Sequence, residues 1–467
     1  MNKFNPKVTV YITNYNYGKF IEQAICSVLD QTLQDFELII IDDGSKDNSV
    51  EIINVFLTDP RIQFIQQKNK GLNISNNVAL NLARGKYIVR LDADDYFKPT
   101  ALERLSFFLD NDDAVGLIFP DFEEVDAEGD LIRVVKRHDF NTEVELFDLP
   151  AHGACTMVRT SFLREVGGYD ESFTCQDGFD LWIKFIAKHK VSNVKEILFS
   201  YRQHGSNLTK NEDRLLATRS EMKKKYLART EKNIPQCSII IPVRSLDVTE
   251  IPFTEVNGQT LLSLKIMASI ESELCDEVII LTSDEKVKEY VLSHFTNPQI
   301  KVIKRPTSYA RFNYSLMDSL KLAENSKDTN LNVNSLAVIL SLENPFLNSR
   351  YIDSSIRALL IFGADSVMSV RRNTKSLYKH DGRTFKSLQS DELTKFERHD
   401  IFQAAGGLVC VKIDTAFEND KLLCGVTSHV LVDEISAFEI NSQVDLKIAN
   451  YLGQQVLLDS QSFNIIR

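Results

Sequence analysis

IVRLDADDYF, residues 88–97, ends an apolar run in three carboxylates within four residues, Asp92, Asp94 and Asp95. Such a cluster calls for a cation. Strand alternation puts Asp92 and Asp94 on one side, and hard oxygen ligands suit Mg²⁺ or Mn²⁺, commonly held by one or two carboxylates together with substrate phosphates. The implied chemistry is a divalent ion holding a phosphorylated ligand; taken alone, the same triplet is an acidic loop tip. FELIIIDDGSKDNS, residues 36–49, ends a second apolar run in Asp42 and Asp43. A carboxylate such as Asp42 at a strand end can read the N–H and hydroxyl groups of a nucleoside, whereas Asp47 and Asn48 suit the cap of the next helix.

These residues need a sheet edge to bring them together. VTVYIT (8–13), FELIIID (36–42) and KYIVRLD (86–92) are β-rich runs of strand length, and GKFIEQAICSVLDQ and NSVEIINVFL between them have helical spacing. Alternating strand and helix predicts a parallel sheet covered by helices, with ligands at the carboxyl ends of its strands. A second alternating series starts at CSIIIPV (237–243) and runs through DEVIILTS (276–283), IKVIKRP (300–306), LAVILSL (336–342) and ADSVMSV (364–370). The charged stretch between them, at about residues 210–230, suits a linker helix. Two Rossmann-like α/β domains follow, over residues 1–230 and 236–467, alike in rhythm but without a residue-level repeat.

Composition narrows the class. With 467 residues, 43% hydrophobic and 25% charged, the chain exceeds one ordinary core. A formal net charge of −11 argues against nucleic acid as a partner. Seven dispersed cysteines without a CxxC pair read as reduced thiols. No segment has the length of a signal-peptide core or a membrane span, so a cytoplasmic protein is expected, with contact to a membrane surface left open.

VYITNYNYGKFIEQAICSVLDQT, the DDGS at 42–45 and the DADD at 92–95 together resemble glycosyltransferase family 2, over roughly residues 6–205. The resemblance implies a GT-A fold and a nucleotide-diphosphate sugar as donor, UDP by default. It places Thr13, Tyr15 and Asp42 beside the nucleoside, Asp92 by the ribose or ion, and Asp94 on the metal. One departure is Ser75, Asn76 and Asn77, where the family often has an arginine before an asparagine. An inverting transfer also needs a carboxylate to take the acceptor proton while the ion stabilises the leaving diphosphate. GGYDESFTCQDGFDLWIKF, residues 167–185, resembles the family's base region: Asp177 is the better match, with Asp180 capping the helix, and the reverse assignment exchanges the two. Trp182 reads as core and His152 as structural or functional alike. ILFSYRQHGSNLT, residues 197–209, resembles the loop that closes over the diphosphate, where Arg202 and His204 either donate to phosphate or lie exposed. The acceptor class is a hydroxyl of a glycan, lipid-linked or protein acceptor in bacterial surface glycan assembly.

The second half resembles the acylneuraminate and related cytidylyltransferases, on Pro242, Arg244 and Ile251-Pro252, on LSLENPFLNSRYIDSSIRALLIFGADSVMSV (340–370), on HDIFQAAGGLVCVK (399–412) and on SAFEINSQVDLKIA (436–449). That family's loop carries paired glycines and lysines that are absent here, and its two metal-binding aspartates are replaced by Glu439 and Asn441. The resemblance implies a nucleotidyltransferase-like domain, degenerate in its chemistry and suited to binding, homodimer formation or acceptor positioning; the alternatives are a second enzyme making a CMP-sugar, or a noncatalytic scaffold. Arg371, Arg372 and Lys375 could meet an acidic sugar.

Overall fold

The fully apolar strand FELIIID is buried at all seven positions, as a strand covered on both faces must be. A computed structural model describes residues 5–204, 212–230, 233–243, 251–310, 315–372, 378–380, 385–387 and 402–463. It divides the chain into two compact units, one ending at Arg219 and the next beginning at Ser220, both within the helix Glu212–Arg229.

In the first unit, strands β1 (Val8–Asn14), β2 (Phe36–Asp42), β3 (Ile62–Gln66) and β4 (Tyr87–Asp92) are mutually parallel neighbours in the order β3-β2-β1-β4. Helices α1 (Ile21–Leu29), α2 (Ser49–Phe56) and α3 (Leu72–Leu82) make the crossovers. The sheet then continues in mixed fashion through β5 (Tyr96–Phe97), β6 (Val115–Val125), β7 (Leu131–Val135), β8 (Met157–Arg159) and β9 (Lys190–Arg202), in the order β4-β8-β6-β9-β5, with β7 paired to β6. β8 runs antiparallel to both β4 and β6, and β9 runs parallel to β6. Helices α4 (Ala101–Asn111), α5 (Thr160–Glu165) and α6 (Asp177–Ile186) complete the layer. Val10, Ile12, Leu38, Ile40, Val89 and Leu91 form one core with Ile21, Ile25 and Val28 of α1. Each such side chain contributes roughly 1.5–3 kcal/mol by leaving water, which anchors the sheet whose carboxyl edge bears the polar residues.

The second unit repeats this plan. Its strands Cys237–Pro242, Glu277–Thr282, Ile300–Lys304 and Leu336–Leu340 are parallel, with the third, second, first and fourth as neighbours. Phe402–Lys412 runs antiparallel to Leu336–Leu340 and to Ser366–Arg372, which pairs in parallel with Thr427–Leu431. Setting aside β5 and β7, both sheets follow one strand order, 3-2-1-4-6-5-7, with the same relative directions. Two cores, one around Ile239, Ile241 and Val338 and one around Ile240, Ile279 and Ile339, cover the two faces of the second sheet.

Candidate active site

Register brings the polar strand ends of the first unit together. Thr13 pairs with Asp92 across β1 and β4, and Asn14 pairs with Asp42 across β1 and β2. Asn14 Nδ2 donates to Asp42 Oδ1 at 2.8 Å, and Ser45 donates through its backbone N–H to Asp42 Oδ2 at 3.0 Å, so Asp42 is fully buried and held by its own turn. Asp43 accepts from Gln67 Nε2 and from the N–H groups of Lys70 and Gly71 at 2.8–2.9 Å. Asn48 is the N-cap of α2 but makes no side-chain cap hydrogen bond; Asp47, one residue earlier, accepts from Ser49 N–H at 3.1 Å and from Gly18 N–H at 2.8 Å. Thr13 is half-buried and Tyr15 exposed beside this edge.

Asp92 and Asp94 take different partners. The strand ends at Asp92, and a turn closed by Asp95 N–H donating to Asp92 O at 3.1 Å ends the alternation. Asp92 instead joins Arg90, whose Nε lies 2.9 Å from its Oδ1. The same guanidinium binds Asp177 through Nη1. Asp94 turns to His204, whose Nε2 is 2.8 Å from Asp94 Oδ2, and the His204 ring stacks on Phe20 with centroids 5.5 Å apart. Asp95 accepts the Arg202 backbone N–H at 2.9 Å, while its Oδ2 is buried without a hydrogen-bond partner.

Crowding three carboxylates has its electrostatic signature. Burial, reinforced by the charges of Asp94 and Asp177, pushes Asp92 up to about 6 against the pull of Arg90. Burial next to Asp94 and Asp92 likewise holds Asp95 well above the carboxylate range. Burial alone would lower Arg90, but Asp177 and Asp92 outweigh it and keep the guanidinium firmly charged. His152, buried near the same guanidinium, falls to about 4 and is neutral, with Nδ1 accepting from Ala154 N–H at 3.1 Å.

Arg202 departs from the expected phosphate contact. Its Nε donates to Asp94 O at 2.9 Å, Nη1 to Asp126 O and Ala127 O, and Nη2 to Gln23 Oε1 at 2.6 Å. At 2% exposure the guanidinium points inward and clamps the DADD turn. Asp180 departs as well: its Oδ2 takes Lys184 Nζ and Asp170 N–H, so it ties the preceding loop to the helix rather than capping the helix end. Asp177 opens α6 and accepts from Asn76 Nδ2 at 3.5 Å in addition to Arg90. Trp182 is core, packed on Phe119 and Phe140 and donating to Phe147 O at 2.7 Å.

Several contributors carry little signal in the sequence. Arg90 is a charge inside an apolar strand, and a buried charge must find partners; alternation sets it on the side of Asp92. Gly153 leaves room for it, since a Cβ there would sit 2.5 Å from Arg90 Nη2, and Gly178 packs on the Gly153 backbone. At and beside the Ser75-Asn76-Asn77 departure, asparagines have work of another kind. Asn73 Nδ2 donates to Asp170 O and Phe173 O, and Asn77 exchanges two hydrogen bonds with the Tyr169 backbone, so one face of α3 holds the loop that leads to Asp177. Three residues with side chains, Asn16, Cys155 and Gln176, adopt the left-handed conformation, and all three flank this site.

In the second unit, the described polar residues near the corresponding edge bond to the backbone. Lys265, fully buried, donates to Asn344 O and Leu347 O, and Arg305 donates to Val243 O. Asn344 Nδ2 donates to Ala405 O and Phe438 O. Glu439 and Asn441 are exposed, and Asn441 N–H donates to Asp445 Oδ2 at 3.0 Å. Arg371 pairs with Glu434 at 3.3 Å. Arg244 and Lys375 lie outside the described residues. Among the described residues, no group of three or more His, Cys, Asp or Glu side chains forms a ready metal cage, and no helix is long and apolar enough to cross a membrane.

A parallel sheet with carboxylates at its switch point and a buried carboxylate across a shared arginine is the frame of a glycosyltransferase. The chain belongs to glycosyltransferase family 2, whose model, Glycosyl transferase family 2, matches residues 9–167. An uncharacterized glycosyltransferase of Methanocaldococcus jannaschii is 32% identical over 206 residues, 42% of this chain and 71% of that protein. A chondroitin synthase of Escherichia coli is 30% identical over 203 residues, covering 43% of this chain and 30% of the synthase. A hyaluronan synthase of Pasteurella multocida is 31% identical over 206 residues, 43% of this chain and 21% of its own length, so the chain spans under a third of either synthase. Among solved structures, S. aureus TarS in complex with UDP-GlcNAc aligns with a TM-score of 0.41 at 17% identity, over 47% of this chain and 66% of that one.

Proposed function

We propose that the first unit is a metal-dependent inverting glycosyltransferase that moves a sugar from a UDP-sugar to a hydroxyl of a glycan, lipid-linked or protein acceptor in bacterial surface glycan assembly. The observation that carries this reading is the Asp92–Arg90–Asp177 bridge, which keeps a base-grade carboxylate beside the DADD edge. Asp177 takes the acceptor proton as the hydroxyl attacks. Thr13, Tyr15 and Asp42 border the nucleoside, and Asp92 the ribose or the ion. Mn²⁺ or Mg²⁺ fits the donor set: Asp94 and His204 present an oxygen and a nitrogen side by side, and the orphaned Asp95 oxygen marks a cluster short of positive charge. When bound, the ion neutralises the leaving diphosphate. Bacterial relatives named chondroitin synthase and hyaluronan synthase support a glycan acceptor.

The second unit, on the strand order it shares with the first and on its cytidylyltransferase resemblance, is on this reading a domain that has lost its chemistry. Lys265, in the helix Leu261–Ile270, and Arg305, just after the strand Ile300–Lys304, serve backbone carbonyls. It is kept for binding, homodimer formation or acceptor positioning, and the protein works in the cytoplasm.

Thermal shift with UDP, GDP, CDP, CMP and CTP, each with and without Mn²⁺, tests both parts, because a ligand of the native state raises the melting temperature without any acceptor. UDP with Mn²⁺ is expected to stabilise the wild type and not Asp94→Ala. A larger shift with CTP that survives Asp94→Ala would reverse the ranking of the two units. Asp177→Asn is expected to keep the UDP and Mn²⁺ shift and to lose transfer by at least a thousandfold; retained transfer rules out its role as base.

A further inference from the structure

Three consecutive residues immediately before Asp177 are each tied by their side chains to the helix Glu212–Arg229, which lies beyond the family-matched residues 9–167. Thr174 Oγ1 accepts from Arg214 Nη2 at 2.8 Å, Cys175 Sγ lies 3.3 Å from Thr218 Oγ1, and Gln176 Oε1 accepts from Arg219 Nε at 2.5 Å. The Arg219 guanidinium also lies over the Phe179 ring, 5.0 Å from its centroid. Arg214 and Thr218, four residues apart, share one helix face, and Arg219 stands about 100° further round the helix, beside Gln176 and Phe179.

The contacts converge on a strained residue. Gln176 sits at φ 61°, ψ 29°, a left-handed conformation that a side-chain-bearing residue keeps only when its surroundings over-determine it. Its carbonyl accepts from Phe179 N–H at 2.9 Å and from Asp180 N–H at 3.2 Å. The conformation of Gln176 thus decides where α6 begins, and Asp177 is the first residue of α6. Its own side chain makes no capping hydrogen bond, so the helix start depends on what holds Gln176 from outside.

We infer that the first two turns of the helix Glu212–Arg229 are a strut for the base: Arg219, through Gln176, is a positioning residue for Asp177. The inference rests on the reading of Asp177 as the base. It requires helix residues through Arg219 for transfer, although the donor-side residues end at His204.

The test is Arg219→Met in the full chain, read by hydrogen–deuterium exchange and by UDP release from UDP-N-acetylglucosamine, UDP-glucose and UDP-galactose. Amides in the 174–181 segment are expected to exchange at least tenfold faster, with 36–48 and 88–97 unchanged and the UDP and Mn²⁺ thermal shift intact. UDP release should fall at least tenfold in kcat with donor KM within twofold of wild type. Gln176→Leu should reproduce the defect, and Gln176→Glu, which preserves the acceptor for Arg219, should restore it; this pair tests the same contact if Arg219→Met proves unstable. Unchanged exchange at 174–181 in both Arg219→Met and Gln176→Leu overturns the strut. Faster exchange with undiminished UDP release overturns Arg219 as a positioning residue, whereas an active Asp177→Asn removes Asp177 as the base.

Discussion

Arg90→Met is the most exacting perturbation of this site, because methionine keeps an unbranched apolar stem and removes the guanidinium, with both its charge and its N–H donors. Two carboxylates that share one guanidinium are left facing each other, with the Arg90, Asp177 and Asp92 side chains 7%, 10% and 25% exposed. Removing one partner of a buried pair costs about 3–5 kcal/mol, most of it the desolvated charge left behind. For a unit of this size, each kcal/mol moves the melting temperature by roughly 2–4 °C, which gives a loss of about 6–20 °C at pH 7.5. The sign of the pH dependence follows. Asp92 already stands at about 6 with the arginine in place, above its unfolded value near 3.9, and losing the pull of Arg90 raises it further. The folded state then binds more protons than the unfolded one, so the deficit shrinks as pH falls from 7.5 to 5. Trp182, the chain's single tryptophan, lies in α6 next to Asp177, so its fluorescence follows this unit alone. A deficit equal at pH 5 and 7.5, or no deficit, would refute the argument that Arg90 is the counter-charge of both carboxylates.

Gly153→Ala puts a methyl 2.5 Å from Arg90 Nη2 and is expected to cut sugar transfer at least tenfold while shifting the melting temperature far less than Arg90→Met does; kinetics and fluorescence melts on the same preparation separate the two. Cation binding needs Asp92 and its neighbours deprotonated, so the stabilisation by UDP with Mn²⁺ should be large at pH 7.5 and mostly gone at pH 5.5, below the value of about 6 for Asp92, as a thermal-shift series across pH would show. Burial lowers Lys265 to about 7, so between about 7 and its ordinary value the unfolded chain binds the extra proton and stability rises with pH. Lys265→Met should flatten that rise in calorimetric melts of the second unit.

The parallel half of the first sheet was legible because FELIIID and YIVRLD are buried on both faces and, apart from Glu37 and Arg90, are apolar up to their polar ends. β8 was not, since three residues, MVR, are too few for any periodicity, and β9 mixes polar and apolar positions through register shifts against β6. At the site, a resemblance pointed to Asp177 and Asp94, but side-chain direction followed local geometry. The turn after Asp92 broke the alternation that would have aligned it with Asp94, and Arg202 answered the unmet carbonyls of Asp94, Asp126 and Ala127 before any external anion. The shared strand order of the two units was invisible for a simpler reason: strand order is set by which neighbours pair, and pairing leaves no residue-level repeat.

That shared order also bears on how the chain is made. Two successive units with the same succession of strands offer each nascent segment two equivalent places to pair, a recognised route to misassembly. VTVYITN and CSIIIP occupy the same first position in their respective sheets. Vectorial synthesis lessens the ambiguity, because the first sheet can close through Lys190–Arg202 before Cys237–Pro242 leaves the ribosome. Refolding from denaturant presents both halves at once, so recovery of native protein in the test tube is expected to fall short of what synthesis from one end gives.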